Sequence, residues 1–139
     1  MRPADDFDAL LLDPATSIAV VGAGDDPAKW GGRIYRNLKA KGFRVWAVNP
    51  ERREVDGDPC YPSVAELPER PTIVDIVVPP PATRKVLEQC LDLGLLRVWV
   101  QPGAEDEAVL AFLAAHGFTY RAGEGDCIMV AARPLAPGR

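Results

Sequence analysis

Histidine is nearly absent: His116 is the single one in 139 residues. One imidazole leaves no His-based metal cluster, and no Cys-His or Ser-His-Asp arrangement is suggested by position. Cysteine is scarce as well. Cys60, Cys90 and Cys127 are widely separated and form no CxxC pair, which excludes a zinc or disulfide framework evident in the sequence. No apolar run approaches the roughly 18–20 residues that span a bilayer. The first residues, Met1 to Asp6, are acidic and lack a signal-peptide core, so the expected location is cytoplasmic. Basic residues are in the minority, 16 Lys and Arg against 20 Asp and Glu, for a formal net charge of −4. General binding to nucleic acid or to an anionic membrane is therefore not expected. Repeats and low-complexity tracts are missing too. Residues 1–139 read as one domain, with an ordered core over about 7–130 and loose ends at 1–3 and 134–139.

What is present is an alternation of apolar strands and amphipathic helices. A short helix over 5–12 places Phe7, Leu10 and Leu11 near one face. Strands are expected at 17–21, 44–48, 72–78, 96–100 and 118–121, and helices at 32–41, 82–93 and 105–116. Between the second and third strands, 50–71 is proline-rich, with a turn at Val55-Asp56-Gly57 and a short helix over 64–67 capped by Ser63. Pro79-Pro80-Pro81 predicts an extended exit from the third strand. The pattern specifies an α/β fold: a Rossmann-like, doubly wound parallel sheet of about five strands, helices on both faces, in the order 3-2-1-4-5.

In such folds the ligand lies at the carboxyl ends of the strands. The first strand ends in Gly22-Ala23-Gly24, and a loop leads to Gly31-Gly32-Arg33. Glycines there let backbone N–H groups approach an anion, and a helix start adds partial positive charge. Pro27 stands where a dinucleotide fingerprint has its third glycine, while Lys29 and Arg33 add charge that suits phosphate. Asp25 and Asp26 are suited to setting the shape of this loop. The second strand ends in Asn49-Pro50, where an NAD site usually carries an acid that accepts from the ribose hydroxyls. Arg52 and Arg53 follow, and guanidinium groups suit phosphate. Val78, Pro79 and Pro80 offer rigid apolar walls for an adenine or pantetheine slot, and a loop brace is an equally good reading of them. Trp46 and Trp99 read as core residues; Trp30 stands apart because it lies in the ligand loop. His116 reads as a helix-end residue and Cys127 as an inert buried thiol near the pocket mouth. No catalytic residue and no metal ligand is assigned.

Four segments together resemble the small bacterial CoA-binding domain proteins. They are Ile18-Ala19-Val20-Val21-Gly22-Ala23, Val45-Trp46-Ala47-Val48-Asn49-Pro50, the Gly57 to Pro68 stretch with Cys60-Tyr61-Pro62-Ser63, and Val98-Trp99-Val100-Gln101-Pro102-Gly103. These proteins are similar to the N-terminal CoA-binding domain of the succinyl-CoA synthetase alpha subunit. The resemblance covers about 7–130. It implies a Rossmann-like fold that binds coenzyme A or an acyl-CoA. It places Gly22, Ala23, Gly24, Gly32 and Arg33 at the pyrophosphate, Asn49 and Pro50 along the nucleotide, and Arg52 or Arg53 near the 3′-phosphate. Val78, Pro79 and Pro80 would flank the adenosine or pantetheine, and Gln101 and Gly103 would follow the pantetheine arm. The tail reads Gly125-Asp126-Cys127 where the family has Asp-Arg-Cys, and the synthetase's phosphohistidine domain has no counterpart in these residues. The expected function is a stand-alone CoA-binding protein without catalysis of its own. Two other readings stay open: an NAD(P)-binding module or redox sensor on the same fold, and a subunit of a CoA-dependent enzyme completed by a protein partner. A homo-oligomer is compatible with each.

Overall fold

The computed structural model describes residues 5–123 and 125–135. At its centre is β1 (Ser17–Val21), buried along its whole length. Such an unbroken apolar run suits a strand covered on both faces. Ile18 and Val20 face one core, and Ala19 and Val21 face the other. The first core lies under α1 (Phe7–Leu10), α2 (Trp30–Ala40) and α5 (Ile128–Ala131). The second lies under α3 (Pro80–Leu93) and α4 (Glu107–Ala115). On α2 the buried side chains are Ile34, Tyr35 and Leu38, the helical spacing that puts them on one face.

β1 pairs in parallel with β2 (Arg44–Val48) on one side and β5 (Ile73–Ile76) on the other. Beyond β5 come β6 (Arg97–Val100) and β7 (Thr119–Ala122), also parallel. Beyond β2 lies a hairpin of β3 (Glu54–Val55) and β4 (Asp58–Tyr61), so the sheet order is β3-β4-β2-β1-β5-β6-β7. The doubly wound α/β architecture is present, with seven strands in place of five. The expected order is corrected with it. The strand at 73–76 lies across β1 from β2, so the five recognised strands run 2-1-3-4-5. The place beside β2 belongs to β4. With β4 counted, the six parallel strands run 3-2-1-4-5-6, the Rossmann order.

The hairpin turns on Asp56 and Gly57, both at positive φ, as a tight turn between twisted strands requires. It is bound to α2. The Tyr35 hydroxyl donates to Asp58 Oδ2 at 2.7 Å, and Lys39 pairs with Asp56 at 3.0 Å and Asp58 at 2.8 Å. Burial, and then the bond to Asp58, push the Tyr35 phenol well above its ordinary range.

Other boundaries move for local reasons. Pro80 opens α3, because a proline at the first helical position loses no intrahelical bond. The segment after Ser63 is a single 3-10 turn, Val64–Glu66, and the Ser63 side chain does not cap it. α1 is shorter than expected, yet it is well anchored. The buried Arg121 guanidinium bonds both carboxylate oxygens of Asp5 and one of Asp8, and stacks over Trp99. At the other end Leu135 N–H donates to the Lys41 carbonyl at 2.8 Å, so 134–135 belong to the fold. Residues 1–3 and 136–139, expected to be loose, lie outside the described residues.

Candidate functional site

A cavity of about 640 Å³ opens where β1, β5 and β6 end. Its floor and walls come from the loop after each strand, from the start of α2 and from Cys127. Among the described residues that line it, Lys29 carries the single charge and there is no carboxylate.

The glycine loop takes its shape from backbone crowding. Gly22, at φ +105, lies so near Val77 that a Cβ on it would stand 2.6 Å from the Val77 carbonyl oxygen. At the start of α2, a Cβ on Gly31 would stand 1.9 Å from the Gly22 oxygen, and one on Gly32 would stand 2.2 Å from the Gly24 oxygen. These two residues supply the close helix–loop packing that the third glycine of a dinucleotide fingerprint provides. Pro27 at the fingerprint position therefore costs the fold nothing; the close approach occurs four and five residues later. Asp26 shapes the turn by accepting from Ala28 N–H at 2.9 Å. Asp25 accepts from Asp56 N–H at 2.8 Å and faces Arg52 at 3.5 Å, which ties the hairpin to the loop. α2 has no side-chain cap and no acidic residue in its first turn. Its first amides are left for solvent or an anion, and the helix dipole favours the anion.

At the end of β2 an amide, Asn49, stands in place of an acid, and Glu51 follows beyond Pro50. The Asn49 amide donates to the Ala23 carbonyl at 2.9 Å, and its oxygen accepts from Glu51 N–H at 2.9 Å. Asn49 thus ties the ends of β1 and β2 together.

The tail forms the last wall. Trp99 Nε1 donates to the Asp126 carbonyl at 2.7 Å, and Gln101, itself buried, accepts from Ile128 N–H at 3.0 Å. Gln101 Nε2 also donates to Cys127 Sγ at 3.3 Å. Cys127 was expected to be buried and inert. It is half-buried and lines the cavity, because these bonds turn the start of α5 toward the strand ends. Cys60 and Cys90 are buried, and burial pushes the Cys90 thiol up to about 12. Alkylation of the folded protein is accordingly expected to label Cys127 first. Peptide mass mapping checks this, and equally fast labelling of Cys90 would contradict it.

Seven expected ligand residues line the cavity: Gly22, Lys29, Val78, Pro79, Pro80, Gln101 and Gly103. The others stand behind or beside it. Ala23 and Gly32 are buried in the loop–helix contact, and Gly24 and Asn49 are partly covered. Arg33, Pro50, Arg52 and Arg53 are exposed on the adjoining surface. Sequence reasoning assigned no ligand role to Trp30, Gly31, Ile34, Val77 or Cys127, all of which line the cavity. Strand alternation could have found Val77, and helical spacing from Trp30 could have found Ile34. His116 is exposed and stacks on Phe112 at 4.2 Å, far in sequence and role from the cavity. Among the described residues no cluster of His, Cys, Asp and Glu could hold a metal.

The chain is similar to known proteins in sequence and in fold. The chain is 44% identical over 73 residues to an ADP-forming acetate–CoA ligase I of Archaeoglobus fulgidus, covering 52% of this chain and 11% of the ligase. It is 39% identical over 79 residues to the alpha subunit of an ADP-forming acetate–CoA ligase II of Pyrococcus furiosus, covering 56% and 17%. The chain thus spans less than a fifth of either curated relative. A solved structure of a conserved hypothetical protein from Pyrococcus furiosus superposes with a TM-score of 0.77 at 43% identity, covering 83% of this chain and 97% of that one. The family model described as CoA binding domain matches residues 16–133, and the chain belongs to that family.

Proposed function

We propose that this chain binds coenzyme A or an acyl-CoA in the cavity at the ends of β1, β5 and β6, without catalytic groups of its own. The observation that carries the reading is the cavity's chemistry. An uncapped helix start and Lys29 meet apolar walls at Val78, Pro79 and Pro80, with no carboxylate among the described lining residues. Phosphates suit the amides and Lys29, and the apolar walls suit adenine or pantetheine. Gln101 and Gly103 lie where a pantetheine arm can follow the β6 end. Asn49 stands directly after β2 where an NAD site usually carries an acid, and its amide is committed to backbone bonds; Glu51, the next acid, lies beyond Pro50. Arg52 runs beside Gly24, and Arg53 is exposed next to it. In this reading they meet the 3′-phosphate from outside the cavity.

The alpha-subunit relative favours a second reading, in which a protein partner adds the chemistry that this chain lacks. The chain's share of the ligases is compatible with both.

Calorimetry with CoA, acetyl-CoA, NAD and NADP tests the ligand. Binding of CoA with little response to NAD is expected, and NADP binding without CoA binding would overturn the reading. The double variant Arg52→Ala, Arg53→Ala is expected to weaken CoA about tenfold while leaving dephospho-CoA nearly unchanged. Equal losses for both ligands would remove the 3′-phosphate assignment.

A further inference from the structure

Trp30 is the feature of the cavity that neither the fold nor the family match accounts for. Of the large apolar side chains left in solvent among the described residues, Leu12, Trp30, Leu110 and Val130, it alone lines the cavity. It is 56% exposed, whereas Trp99 is fully buried. An indole so placed gives up most of the burial that stabilises a core tryptophan. The ring is nevertheless held. Arg33, one turn along α2, sets its guanidinium over the indole with 4.4 Å from Cζ to the ring centroid. A cation on one side of a ring fixes its orientation and leaves the other side for a flat partner. Trp30 also opens α2, so its ring stands beside the amides suited to phosphate.

We infer that Trp30 is a stacking platform for the adenine of the ligand. The inference rests on the CoA reading, and its argument is positional. CoA has one aromatic system, its adenine. A phosphate at the first turn of α2 keeps the attached nucleoside within reach of residue 30. A base stacked there is recognised by its π face and not by its edges, so the platform sets affinity for the nucleotide half and is indifferent to the acyl group.

Titrating tryptophan emission with CoA, adenosine 3′,5′-bisphosphate and 4′-phosphopantetheine tests this. CoA and the bisphosphate are expected to quench the Trp30 part of the emission, read as the difference between the wild type and Trp30→Phe. Phosphopantetheine is expected to leave it unchanged. Trp30→Ala is expected to weaken CoA and the bisphosphate about tenfold, with phosphopantetheine unaffected and Trp30→Phe largely restoring affinity. Trp30 is exposed, so the variants should melt as the wild type does, which circular dichroism verifies. Undiminished CoA affinity in Trp30→Ala overturns the platform and leaves the CoA reading standing. Quenching by phosphopantetheine but not by the bisphosphate also overturns it, by assigning the ring to the arm. Failure of the wild type to bind CoA removes the CoA reading itself, and the platform with it.

Discussion

Gly31→Ala is expected to bring the domain close to unfolding. The new methyl would stand 1.9 Å from the Gly22 carbonyl oxygen, and the obstacle is backbone rather than the end of a flexible side chain. Relief requires α2 to move away from the glycine loop, which also carries Ile34, Tyr35 and Leu38 out of the core. Overpacking of this severity costs on the order of 3 kcal/mol or more, and a domain of this size then melts roughly 10 °C lower. Gly57→Ala is the informative contrast. Nothing lies within 4 Å of the added Cβ there, and the strain comes from φ +79 alone. Its cost should be about 1 kcal/mol. Thermal unfolding followed by circular dichroism separates the two. A melting temperature unchanged by Gly31→Ala would show that the loop yields freely, and the account of the helix start would have to be abandoned.

Replacing Asp75 should have the opposite sign. Its carboxyl lies in the middle of β5 between Val20 of β1 and Trp99 of β6, fully buried, and neither oxygen has a hydrogen-bond partner among the described residues. Ile73 and Val77 share its face, so it stands one pleat below the cavity floor. Burial raises its pKa well above the usual carboxylate range. The folded chain keeps this proton at pH values where the unfolded chain has lost it. Folding therefore carries no ionisation penalty from Asp75 below about pH 4, and stability declines as pH rises from there through the folded pKa. Asp75→Val removes an unpartnered polar group and should stabilise the domain at pH 8 by about 1–3 kcal/mol. Asp75→Asn keeps the shape but cannot ionise. The gap between its denaturation midpoint and that of the wild type should widen with rising pH above about pH 4. Parallel pH profiles for the two proteins would mean that the carboxyl finds a partner in solution.

The centre of the fold was legible because its strands are mainly apolar runs with glycine or proline within a few residues of their ends. Ser17–Val21, Arg44–Val48 and the strand before Val78-Pro79 announce themselves, and with them half of the cavity. The hairpin's turn at Val55-Asp56-Gly57 was legible, but its two strands were not. Asp58 and Pro59 are poor strand formers, and β4 bonds to β2 at only two positions, Ala47 with Cys60 and Val48 with Tyr61. Overlooking these strands also misnumbered the sheet. The prolines after Val78 misled for a related reason: rigidity that forbids a helix interior favours a helix start. Gly31, Gly32 and Cys127 depend on contacts across the fold, between α2 and the first loop and between Gln101 and the tail. A sequence records such residues without recording whom they meet.

The tail that closes the cavity has a thermodynamic consequence. Gly22 and Cys127 line one space, although a hundred residues lie between them, and the bonds from Trp99 and Gln101 hold the later segment in place. An occupant of that space touches parts that separate when the entire domain comes apart. Occupancy is therefore linked to global unfolding rather than to the opening of one loop, and saturation protects the whole chain by RT ln(1 + [L]/Kd), about 2.7 kcal/mol at a hundred times Kd. Empty and filled populations in a cell would thus differ in how long they survive proteolysis, and abundance would follow the supply of the small molecule.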